Sequence, residues 1–222
     1  MEEKVLDGLK YLFSYPKGFR EEKKYPLIIF LHGAGTRSET TEKLRANSCL
    51  NHILSRQDER GYLFLAPLCP RGTWNEWMTL LVRLIKEVRE YAWVDEKRVY
   101  LTGNSMGGYG TWEFSSLYAD YVAAAMPVCG GGIPAFAKRM VDVPVRAFHG
   151  LCDKTVDPIE SLEMVKALNQ AGGHGELILF PSLKHNCWDA AYSDDKNYDW
   201  LLSFTTERDK TLVEQYSGAY YG

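Results

Sequence analysis

The sequence predicts an α/β fold, a mainly parallel sheet covered by helices on both faces. Continuous apolar runs recur along the chain, stretches of helical spacing lie between them, and loops rich in glycine and polar residues follow several of the runs. Strands buried on both faces read as unbroken apolar runs, and their alternation with helices calls for parallel crossovers.

The first long run, residues 27–31 (Leu-Ile-Ile-Phe-Leu), follows Pro26 and precedes glycines, as a central strand should. Similar runs predict strands at residues 62–66, 98–102, 122–128, 143–148 and 176–180. Helical spacing predicts helices at about 41–56, 78–91, 106–118 and 158–171. Ahead of these elements, residues 9–15 and a strand after Gly18 suit an antiparallel edge; behind them, residues 198–204 suit a last helix packed on the sheet. Residues 205–222 mix charges with Tyr216, Tyr220 and Tyr221 without a period and read as a loose tail.

The length, 222 residues, suits a single domain spanning 1–222, with its core at about 25–204. No apolar run approaches the roughly 20 residues of a membrane helix, so no membrane association is expected. A net charge of -3 offers no field to gather phosphates, which argues against nucleic acid and leaves the substrate to be recognised locally. Residues 1–10 lack the apolar centre of a signal peptide, and the expected location is cytoplasmic. The five cysteines (Cys49, Cys69, Cys129, Cys152 and Cys187) show neither C-x-x-C nor a zinc spacing, so reduced thiols, no metal and no cofactor are expected.

Chemistry concentrates after the strands, where open α/β sheets place their ligands. Gly103-Asn104-Ser105-Met106-Gly107 lies between a predicted strand and a predicted helix. Glycines allow a sharp turn that projects the serine, although a serine that only caps the helix would occupy the same place. A serine hydroxyl needs an adjacent base, and His185 follows the strand at 176–180. His52, in a predicted helix, and His174, in a glycine turn, suit non-functional surface histidines better. The base needs a carboxylate to hold its tautomer; Asp153 follows the strand at 143–148, and Asp157 competes with it, although its place before Pro158 suits a helix cap. Leu31-His32-Gly33-Ala34-Gly35 can aim an amide at an oxyanion, so the N–H groups of Ala34 and Met106 are the candidate donors, with His32 bracing the loop. If Asp153 and His185 pair, Cys152 and Cys187 beside them should approach one another.

At these residues the chain resembles the compact carboxylesterase and dienelactone-hydrolase-like branch of the α/β hydrolases. The likeness runs from about Tyr25 to Phe204 and rests on Leu31-His32-Gly33, the stretch from Asp95 to Gly108, His149-Gly150-Leu151-Cys152-Asp153, and His185 with Trp188. It implies the α/β-hydrolase fold, with Ser105, Asp153 and His185 as the triad and Ala34 and Met106 as the oxyanion pair. Dienelactone hydrolases proper use a cysteine nucleophile, so Ser105 points away from their reaction. About fourteen residues separate the strands at 122–128 and 143–148, where larger relatives insert a cap, and an open site without a large cap is expected. Trp74, Trp77 and Trp188 are candidate pocket walls.

The resulting expectation is a serine carboxylesterase acting on short-chain acyl esters or acylated sugars through an acyl-enzyme on Ser105. The alternatives are a peptidase or thioesterase with the same triad, or a non-catalytic hydrolase-like binding module. The expected partner is a small-molecule or saccharide ester.

Overall fold

Asp7 and Gly8 both take positive φ, 48° and 85°, and fold the N-terminus back on itself. This hairpin joins β1 (Glu2–Leu6) to β2 (Leu9–Ser14). An Asp-Gly pair between strands is a strong hairpin signal, so the edge is built by residues before Leu9 and not by a strand after Gly18. A computed structural model describes residues 1–206, and the remaining strands are β3 (Tyr25–Leu31), β4 (Leu63–Pro67), β5 (Val94–Asn104), β6 (Ala124–Val128), β7 (Val145–Gly150) and β8 (Gly175–Phe180). All eight form one sheet in the order β1-β2-β4-β3-β5-β6-β7-β8. The first two strands pair antiparallel, β2 also runs antiparallel to β4, and the other pairs are parallel. This is the α/β-hydrolase arrangement.

The helices are α1 (Glu42–Arg45), α2 (Ser48–Leu54), α3 (Gln57–Arg60), α4 (Met78–Arg89), α5 (Met106–Leu117), α6 (Ile159–Gln170), α7 (Trp188–Ser193) and α8 (Asp195–Leu202). The single helix expected at 41–56 is broken. Asn47 is extended at φ -70°, ψ 128°, and its side chain accepts the Leu50 N–H to start α2 afresh. The short α7 falls where only a loop was expected, and the last helix begins at Asp195, with Asp194 accepting the Lys196 N–H. Thr206 is buried and donates its N–H to the Lys97 carbonyl at 2.9 Å, so the expected loose tail does not begin at residue 205. Residues 207–222 lie outside the described residues.

Strand periodicity explains why β3 is apolar throughout. Leu27, Ile29 and Leu31 belong to the core beneath α4, α5 and α6, whereas Ile28 and Phe30 belong to the core shared with α2, α7 and α8. Tyr100 and Phe148 extend the second core across β5 and β7, opposite Leu101 and Ala147 in the first. Each fully buried Leu or Ile contributes about 1.5–3 kcal/mol. The carboxyl ends of β3, β5, β6, β7 and β8 therefore open on one rim. Between β6 and β7 the chain carries only the helical turn Pro134–Met140, and no cap domain is present among the described residues.

Candidate active site

The central strand β5 delivers Ser105 to this rim. Ser105 has φ 55°, ψ -118°, a strained conformation for a residue with a Cβ atom. It is held there by its N–H donating to Val128 O at 2.9 Å and by its carbonyl accepting from Tyr109 N at 3.0 Å. The turn closes because α5 runs almost against the end of β3: a Cβ on Gly107 would lie 1.8 Å from the Leu31 carbonyl oxygen, and one on Gly103 would lie 2.4 Å from Gly107 O. Neither contact involves a movable side chain. Gly107→Ala is therefore expected to lose about 3 kcal/mol of stability, the upper end for overpacking, as measured by denaturant unfolding.

The loop between β8 and α7 carries His185, and the loop after β7 carries Asp153. His185 Nε2 lies 2.8 Å from Ser105 Oγ, and Nδ1 lies 2.7 Å from Asp153 Oδ2. The carboxylate can only accept, which places the ring proton on Nδ1 and leaves Nε2 free to accept the serine proton. Asp153 is buried, and its other oxygen accepts the N–H groups of Thr155 and Val156 at 2.8 and 3.0 Å. Burial alone would raise its pKa, but the His185 hydrogen bond and these two amides outweigh it and hold the carboxyl below its usual range. Asp157 is not part of this chain of contacts. It is exposed, and its carboxylate accepts the Ile159 N–H at 3.0 Å at the start of α6.

Ala34 opens the helical turn Ala34–Thr36 and Met106 opens α5, so neither N–H has an acceptor within its own turn. Gly33 brings the two together: a Cβ there would lie 3.0 Å from Asn104 Nδ2 and 3.5 Å from Ser105 Cβ. His32 braces this loop. It is fully buried, donates from Nδ1 to Gly33 O at 2.8 Å and accepts the Cys69 N–H on Nε2 at 3.0 Å. Burial pushes its pKa down to about 4, so the ring stays neutral in this role.

One cavity reaches the residue after Ser105 and another reaches its partner His185. The first, of about 430 Å³, is lined by Ala34, Met106, Trp74, Tyr109 and Glu113 among others. The other, of about 360 Å³, has His185 itself in its wall, with Trp188 beside it. The Trp188 ring meets His185 edge-on at 5.6 Å. Trp74 is buried and serves chiefly as a brace, donating its indole N–H to His32 O at 3.0 Å. Trp77, the other expected wall residue, lines neither of these two cavities and donates its indole N–H to Arg71 O. His52 pairs with Asp189 at 3.4 Å and His174 is exposed beside Glu176, and neither bonds to Ser105, Asp153 or His185.

His149, named above only as part of a motif, was given no role there. It is fully buried at the end of β7, with Nε2 donating to Val156 O at 3.0 Å and lying 3.2 Å from Asp153 Oδ2. It thus packs behind the carboxylate and the loop that holds it. The available signal was the His149-Gly150-Leu151-Cys152-Asp153 segment itself, which sets the histidine at a strand end four residues before Asp153. Cys152 and Cys187, expected to approach one another, are both free thiols with different surroundings: Cys152 is exposed and faces Pro181 O, whereas Cys187 is buried. The buried neighbour of Cys187 is Cys129, and their hydrogen bond, together with burial, pushes the Cys129 thiol up. Among the described residues no group of three or more His, Cys, Asp or Glu side chains gathers as a metal site would require.

Residues 71–199, more than half of the chain, match the dienelactone hydrolase family. The chain belongs to that family. Within the matched segment lie Ser105, Asp153 and His185. A bifunctional acetylxylan esterase/xylanase of Neocallimastix patriciarum is 29% identical to this family member over 60% of its chain and 20% of the relative. Feruloyl esterase B of Piromyces equi is 30% identical over 66% of the chain and 30% of the relative. The chain thus spans less than a third of the length of these curated relatives. Among solved structures, a thermostable esterase superposes with a TM-score of 0.75 at 28% identity, covering 89% of this chain and 60% of that one.

Proposed function

We propose that the protein is a serine carboxylesterase that cleaves short-chain acyl esters or acylated sugars through an acyl-enzyme on Ser105. The observation that carries this reading is the continuous hydrogen-bonded line from Ser105 Oγ through His185 to Asp153, at 2.8 and 2.7 Å. In it His185 takes the serine proton as the ester carbonyl is attacked, and Asp153 stabilises the imidazolium that forms. The amides of Ala34 and Met106 receive the negative charge on the carbonyl oxygen. His185 then returns the proton to the departing alcohol, and water repeats the sequence to release the acid.

The esterase names of the acetylxylan and feruloyl relatives support the choice of ester over amide and suggest saccharide esters as substrates. A cavity of about 430 Å³ beside the oxyanion donors suits an acyl group of modest size. The test is labelling with a fluorophosphonate followed by peptide mapping, with turnover measured on acetylated and feruloylated saccharides and on matched peptides. Covalent label on Ser105 and turnover of esters over peptides are expected. An unlabelled Ser105, or cleavage of peptides alone, overturns the reading.

A further inference from the structure

The cavity that contains His185 also contains two lysines, Lys154 and Lys184, each adjacent in sequence to a residue of the hydrogen-bonded line. Lys154 follows Asp153 and Lys184 precedes His185, so the loops that fix the carboxylate and the imidazole also bring both lysines to one cavity. Both are exposed, and neither makes an ion pair among the described residues. The nearby carboxylates lie outside the lining: Asp153 is buried behind His185, Asp157 accepts the Ile159 N–H, and Asp189 pairs with His52. The lining of this cavity thus carries two lysine side chains and no carboxylate, in a chain whose net charge is -3. Thr155 and Asn186 add neutral hydrogen-bonding groups, and Trp188 supplies an apolar face.

Reaction chemistry decides which part of an ester would enter this cavity. The imidazole must reach the departing oxygen to protonate it, so the alcohol portion lies against His185, whereas the acyl portion lies toward the oxyanion donors. The cavity at Ala34 and Met106 is therefore on the acyl side, and the cavity at His185 is on the alcohol side. We propose that the His185 cavity is an alcohol-side subsite selecting esters whose alcohol portion carries a carboxylate, as in an acylated acidic saccharide. Lys154 and Lys184 meet the carboxylate, and Trp188 covers the ring or chain that bears it. The inference rests on the esterase reading given above and adds the charge of the leaving group to it.

The test compares the acetate esters of 4-hydroxybenzoate and 4-hydroxybenzamide, which share an acyl group and a shape but differ in charge. Values of kcat/KM are divided by the uncatalysed hydrolysis rates, and their anionic-to-neutral ratio is followed. At low salt the wild type is expected to favour the benzoate by about tenfold, and Lys154→Glu/Lys184→Glu to lower the ratio by at least about that factor. In about 1 M salt, where the Debye length is about 3 Å, the preference should largely vanish. The distant charge reversals Lys24→Glu and Lys166→Glu should leave the ratio unchanged. A ratio near one that the lysine variants do not move, with the neutral ester still turned over, overturns the subsite and leaves the esterase reading standing. Lysine variants that instead alter selection for a carboxylate on the acyl side, tested with phenyl hydrogen succinate against phenyl butyrate, overturn the assignment of sides. Failure to turn over either acetate, together with an unlabelled Ser105, overturns both readings at once.

Discussion

Ser105→Ala is expected to remain folded while kcat on any ester substrate falls by on the order of 10⁴ or more. The oxygen it removes lies 2.8 Å from His185 Nε2, and no other hydroxyl is bonded to that nitrogen. Backbone contacts of residue 105 run through its N–H to Val128 and its carbonyl to Tyr109, and alanine keeps both. Alanine also keeps the Cβ atom, and with it the strain of φ 55°. Ser105→Gly should be equally inactive yet tolerate that φ without steric cost, so its stability relative to the alanine variant reads the strain directly. Strain of this kind amounts to about 1–3 kcal/mol, against about 0.5–1 kcal/mol for the added freedom of glycine in the unfolded chain. Steady-state kinetics with denaturant unfolding measure both effects. A folded alanine variant with near-normal turnover would remove Ser105 from the mechanism.

The strands were legible because burial on both faces leaves a continuous apolar run, as at Leu27, Ile28, Ile29, Phe30 and Leu31. The turn at Ser105 was legible for a different reason: glycines at 103 and 107 are demanded by backbone contacts that no side chain could share. What escaped depends on contacts between distant segments or on very local turns. A single capping residue, Asn47, splits what periodicity alone joins into one helix. The Asp7-Gly8 hairpin leaves a signal in its turn residues alone, because β1 is charged, as suits an exposed edge strand, and shows no apolar run. Cys187 sits two residues from His185, yet its thiol turns inward to Cys129 at the end of β6; chain proximity says nothing about the direction of a side chain in a turn. The pairing of Lys154 with Lys184 in one cavity likewise becomes visible only when the loops after β7 and β8 are brought side by side.

The same juxtaposition separates the two aspartates that sequence left in competition. Asp153→Asn is expected to keep the fold but lower kcat by about 10⁴, because an amide can present its NH₂ to His185 and favour the wrong tautomer. Asparagine retains one oxygen for the Thr155 and Val156 amides, so the loop keeps its shape while the imidazole loses its orientation and its counter-charge. The Asp157 carboxylate, by contrast, accepts the Ile159 N–H at the start of α6. Its replacement by alanine should cost about 1 kcal/mol of folding free energy, the usual value of a cap, with kcat nearly unchanged. Parallel kinetics and unfolding of the two variants check the contrast. Should the residue-157 variant be the inactive one while Asp153→Asn turns over normally, the carboxylate that serves His185 during the reaction is not the one that meets it at 2.7 Å in this structure.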